Sequence, residues 1–87
     1  MSLDELSEKI SKIIGIEPKD IRSISRARRV SKGKAIFLYI ATVYMGKSLT
    51  EMAKFIRMGL GSACRARARG KEIVINGNIL NILKLKQ

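Results

Sequence analysis

Apolar residues recur at helical spacing along most of this chain. Leu3, Leu6, Ile10, Ile13 and Ile14 make one stripe and predict a helix over 3–14, with Gly15 as its left-handed stop. Pro18 suits the first position of a short helical turn over 18–22, with Ile21 pointing inward. Residues 23–29 have no periodic apolar pattern and read as a loop. Ser31 is then expected to cap a helix over 32–45, ended by Gly46. Ala35 to Ala41, with Val43 and Tyr44, make that helix apolar almost all round, which places it in the middle of a bundle.

Ser48-Leu49-Thr50-Glu51 reads as a capping box opening a helix over 49–57, whose apolar face is Leu49, Met52, Ala53, Phe55 and Ile56. A break at Arg57-Met58-Gly59 leads into a second helix, 60–75, carrying Arg65, Arg67 and Arg69. At about 100° per residue, Gly61, Ser62, Arg65, Arg69 and Glu72 share its outer side. Leu60, Ala63 and Cys64 face inward; Arg67 lies on that side too and can snorkel to its edge. Gly70 weakens the helix without ending it. Ile73-Val74-Ile75-Asn76-Gly77 carries two signals, a helix continuing and β-branched residues running into a hairpin turn. Ile79, Leu80, Ile82 and Leu83 sit at helical offsets and favour a last helix, 79–86, capped by Asn78. The expectation is an all-α single domain over 1–87, a compact helical bundle with a helix-turn-helix.

Charge sharpens that picture. The net charge is +11, and it is segregated: residues 1–20 hold five acids and three bases, whereas residues 21–71 hold thirteen bases and one acid, Glu51. Segregation of this kind marks a face for a polyanion rather than a merely soluble surface. The single Cys64 cannot form an intramolecular disulfide, which fits a reducing cytoplasm, and its plain reading is a small core residue. No apolar run approaches 18 residues, so neither secretion nor membrane spanning is expected.

Conventional reaction chemistry has little to build on. There is no histidine and only one cysteine, so the usual zinc spacings and the Ser-His and Cys-His pairs are excluded. No glycine-rich loop ends in Gly-Lys-Ser/Thr. No enzyme, cofactor or metal is expected.

Two helices across a tight turn, the second one basic, is the arrangement that lays a helix into the DNA major groove. On the outer side of 60–75, small Gly61 and Ser62 allow close approach to base edges, while Arg65 and Arg69 can take guanine or phosphate. The loop arginines Arg26, Arg28 and Arg29 suit a narrow minor groove, and Lys32 and Lys34 add phosphate contacts. A competing reading is a protein–protein interaction or assembly domain, with the apolar helix from Ile79 to Leu85 as a homodimer face. RNA binding is weakened by the few aromatics available for stacking.

Residues 16–73 resemble the C-terminal DNA-binding domain of the DnaA replication initiators. The resemblance is carried by Ile16, Asp20-Ile21, Ser25-Arg26-Ala27-Arg28-Arg29-Val30, Lys32, Lys34 and Ser48-Leu49-Thr50-Glu51-Met52. Ser48 to Glu51, Phe55, Ala66 and Arg69-Gly70-Lys71-Glu72-Ile73 are closer still to the DnaA-like domain of REP-associated transposases. The resemblance implies a Trp-repressor-like helical fold binding double-stranded DNA in a sequence-specific way. It places a loop arginine (Arg26 or Arg28) in the minor groove and Gly61, Ser62 and Arg65 in the major groove, with Lys34 on the backbone; Ser48, at the motif's first cap, is a further candidate DNA contact. The family's Arg-Asp-His-Thr-Thr is here Gly59-Leu60-Gly61-Ser62-Ala63, and Arg57 stands where the turn usually has glycine.

Overall fold

Six helices, and no strand, form the described residues, which are 2–25 and 27–83 of a computed structural model. Helix α1 (Leu3–Ile14) opens on Ser2, whose hydroxyl accepts from the Glu5 amide at 3.1 Å, and closes on Gly15 at φ 83°. Helix α2 (Pro18–Ile21) has proline in its first turn, and the Asp20 carboxylate accepts from the Glu17 amide at 3.0 Å. Leu6, Ile10 and Ile21 seal these two helices against the centre with no exposed surface at all.

Helix α3 (Arg28–Val43) is the axis of the bundle. Every residue from Gly33 to Ala41 is buried, as an all-round apolar helix requires. Its ends differ from the sequence expectation. It begins at Arg28 rather than residue 32, because the ladder already starts with the Ser31 amide on the Ala27 carbonyl at 2.9 Å. Ser31 therefore lies inside the first turn and is not its cap; Ser25 does the local work, its hydroxyl accepting from the Ala27 amide at 3.2 Å. Apolar periodicity begins only at Val30, so it could not register two arginines that are good helix formers in their own right. At the other end Val43, not residue 45, is the last helical residue, and Gly46 takes a left-handed φ of 68° just beyond.

Helices α4 (Leu49–Phe55) and α5 (Leu60–Asn76) follow, joined by the turn 56–59. Ser48 caps α4 as expected, accepting from the Glu51 amide at 3.1 Å, but the Glu51 carboxylate does not return to the Ser48 amide, so half of the expected capping box forms. Phe55 stacks on Phe37 of α3, with ring centroids 5.6 Å apart, and carries the Arg22 guanidinium 4.2 Å from its own centroid. Residues 73–76 continue α5, so the hairpin signal there gives way to helix. Helix α6 (Ile79–Ile82) begins after Asn78, which is left-handed and whose side chain pairs with Asn81 instead of capping the backbone. Residues 84–86, expected to extend it, lie outside the described residues, as does Leu85 of the supposed dimer face. Ile79, Leu80 and Leu83 are buried within the chain itself, and Ile82 is exposed.

The seam between α3 and α5 fixes where the outer side of α5 points. The residues α5 buries are Ala63, Ala66, Gly70 and Val74, all small or compact. At Gly70 the helices touch backbone to backbone: a Cβ there would sit 2.0 Å from the Ala35 carbonyl oxygen. Ala63 faces inward as expected, but Leu60 and Cys64, placed on the same side, are exposed, because the buried stripe continues from Ala63 through Ala66 and Gly70. No helix among the described residues is long and apolar enough to cross a membrane.

Candidate nucleic-acid interface

Helix α4 ends in a left-handed turn, and that turn shapes the basic surface. The Met58 amide returns to the Ala53 carbonyl at 2.8 Å and the Arg57 amide to the Lys54 carbonyl at 3.2 Å, which is the Schellman pattern. The next two carbonyls are taken by cations from elsewhere in the chain. Arg22 Nε donates to Phe55 at 3.4 Å, and Lys34 Nζ donates to Ile56 at 3.1 Å. The four carbonyls that a helix end leaves without partners are thus all satisfied.

Lys34 also donates to the Ser23 carbonyl. Only 5% of the residue is exposed, and burial pushes its ammonium below the ordinary lysine pKa. Its amine therefore ties the segment before α3 to the end of α4, leaving one donor of three uncommitted. The sequence presents Lys34 as a surface phosphate contact, whereas the structure places it at the floor of a cleft.

That cleft, of about 380 Å³, is walled by Ile24 and Ser25 before α3, Ser31 and Lys34 on α3, Arg57 to Gly59 in the turn, and Ser62 and Arg69 on α5. A second hollow adjoins it along Arg69, bounded by Arg28, Ser31, Lys32 and Ile73. Together the two hollows carry Arg28, Lys32, Lys34, Arg57 and Arg69 and no acidic side chain. The start of α3 and the middle of α5 are brought together because α5 crosses α3 at Gly70, one residue beyond Arg69.

The remaining candidates are distributed differently. Gly61 and Arg65 are exposed on the outer side of α5 without lining either hollow. Arg28 and Arg29 belong to the first turn of α3 and not to a loop. Arg29 turns away from the cleft: one of its guanidinium nitrogens lies 3.8 Å from the position a Cβ would take on Gly15, at the C-terminus of α1. Ser48 is committed to capping α4. Arg26 lies outside the described residues. Among the described residues no group of histidine, cysteine, aspartate or glutamate is placed to hold a metal.

Arg57, which stands where the turn usually has glycine, and Leu60, expected to face inward, are absent from the contact residues that the sequence suggests. Leu60 is 53% exposed at the start of α5, beside Gly61 and Ser62.

The sequence of this chain is similar to that of one curated initiator. The chromosomal replication initiator protein DnaA of Campylobacter curvus (strain 525.92) is 28% identical to it over 83 residues. The similarity takes in 94% of this chain but only 19% of the initiator's length. No protein-family model matches the chain. No solved structure matches it either.

Proposed function

We propose that the chain is a sequence-specific double-stranded DNA-binding module, with α5 in the major groove and the segment before α3 at the adjacent minor groove. The observation that carries this reading is the continuous acid-free surface of Arg28, Lys32, Lys34, Arg57 and Arg69. Such a surface neutralises phosphates, and the outer side of α5 rises from it with the residue types that read base edges. Gly61 and Ser62 let the helix sit close, Arg65 reaches a guanine, and the exposed Leu60 offers an apolar contact of the kind a thymine methyl accepts. Arg69 and Lys32 hold the backbone on either side and set register. Similarity to an initiator supports the assignment. It also favours an initiator-type parent over a transposase-type one, whose kinship rests on the sequence likeness at Ser48–Glu51, Phe55, Ala66 and Arg69–Ile73.

In this reading the chain carries out no reaction and needs no cofactor. The competing assembly reading loses ground because three residues of its proposed homodimer face, Ile79, Leu80 and Leu83, are occupied inside the fold, leaving Ile82 as the exposed apolar residue of that face among the described residues. Selection from random duplex DNA tests the proposal: a recurrent site of a few base pairs is expected. Retention of all sequences alike would reduce the module to a non-specific binder.

A further inference from the structure

The turn between α4 and α5 has its glycines and its arginine in unexpected places. Arg57 takes φ 59°, the left-handed region that glycine enters freely and an arginine enters at a cost. Gly59, by contrast, has an ordinary φ of −69°, and neither it nor Gly61 has any atom within 4 Å of where a Cβ would stand. Neither conformation nor packing calls for glycine at 59 and 61, and conformation argues against arginine at 57. The fold does not use the Arg57 side chain: it is exposed, and its guanidinium makes no hydrogen bond to the described residues. Its strained backbone is held from beneath by the Schellman bonds and by Lys34 on the Ile56 carbonyl. Strain that the surroundings enforce, and the fold does not exploit, points to a binding role.

We propose that Arg57 grips a phosphate of the duplex backbone that runs over the bare surface of Gly59 and Gly61, as a contact additional to those of the α5 helix. The inference rests on the DNA-binding reading above. Arg57 stands between the cleft shared with Ser62 and Arg69 and a hollow on its other side lined by Asp4, Glu8 and Arg22, and on the cleft side it is within reach of the strand that Ser62 and Arg69 would meet. Removing the side chains at 59 and 61 lets that strand approach, and the charge at 57 fixes where it lies.

The test measures two quantities on Arg57→Gly, Arg57→Lys and the wild type: the midpoint of thermal unfolding, and affinity for a selected duplex across a salt series. Arg57→Gly is expected to raise the midpoint by roughly 2–6 °C as strain is relieved. The same substitution should weaken binding at least about five-fold and flatten the salt dependence by about one logarithmic unit. Arg57→Lys, which keeps both charge and strain, should bind within about three-fold of wild type. If Arg57→Gly gains stability and binds as tightly as wild type, the contact does not exist. If it gains no stability, the strain does not exist. Absence of duplex binding by the wild type would remove the parent reading and this inference together, a result distinct from either of those.

Discussion

Gly70 and Gly61 lie nine positions apart on the same helix and do opposite jobs. Gly70 is buried where α5 meets α3, and the Ala35 carbonyl oxygen occupies the space a side chain would need. Gly61 faces outward into open space with nothing near it. One glycine is there because the protein is close; the other leaves room for something the chain itself does not supply. The same division runs along the whole helix. Its inner side, Ala63, Ala66, Gly70 and Val74, is sized for packing, and its outer side, Gly61, Ser62, Arg65 and Arg69, has residues that packing does not use. Substitutions on the two sides should therefore separate stability from binding.

The largest effect belongs to the inner side. Alanine at position 70 gains about 1 kcal/mol of helix propensity. Against that, its Cβ would stand 2.0 Å from a backbone oxygen that cannot rotate aside, so α3 and α5 must part. We expect Gly70→Ala to lose about 3 kcal/mol or more in chemical denaturation, a large share of the stability of a domain this small. A variant as stable as the wild type would show that the helices do not meet at this point.

On the outer side, Arg69→Ala should cost about 1–3 kcal/mol in binding to the selected duplex while leaving the unfolding midpoint unchanged. Arg69 borders both hollows, so its loss should be felt more than that of Arg28 or Lys32, each of which borders one. Equal affinity for wild type and Arg69→Ala would detach the hollows from DNA binding.

The smallest effect is the most pointed. Gly61→Ala is expected to stabilise the domain by about 0.5–1 kcal/mol, through helix propensity and a less flexible unfolded chain. Its methyl group should nevertheless weaken specific binding severalfold by holding the duplex off. Calorimetry and a binding titration on one sample check both halves. If stability and affinity rise together, the bare surface at 61 is not there for close approach.

Much of the fold was legible in the sequence because its cues were local. The α1 stripe, Gly15, Pro18 and the Ser48 cap all announce themselves within a few residues, and α3 reads as central from its own composition. What escaped was set by tertiary contact. The rotation of α5 depends on which residues α3 accepts, and a helical wheel places Leu60 and Cys64 inside beside Ala63, whereas the buried side runs from Ala63 through Ala66, Gly70 and Val74. The role of Lys34 depends on two carbonyls, one 11 residues before it and the other 22 after it. Its charge alone made it look like a surface contact. For the candidate site, the basic character and the outer side of α5 were readable. The joining of Arg28, Lys32 and Arg69 around adjacent hollows was not, because it follows from the crossing at Gly70.

The central claim is that the acid-free surface binds the DNA backbone, and its most direct test is the salt dependence of duplex binding by the wild-type chain. Fluorescence anisotropy on a selected duplex, from about 50 to 300 mM salt, would give the slope of log affinity against log salt concentration. If the four exposed bases of the two hollows, Arg28, Lys32, Arg57 and Arg69, each neutralise one phosphate, the slope should be about −3 to −4. Replacing both Arg69 and Lys32 by alanine should bring it closer to zero by about two units. A slope near zero, or one that the double variant leaves unchanged, would contradict the account.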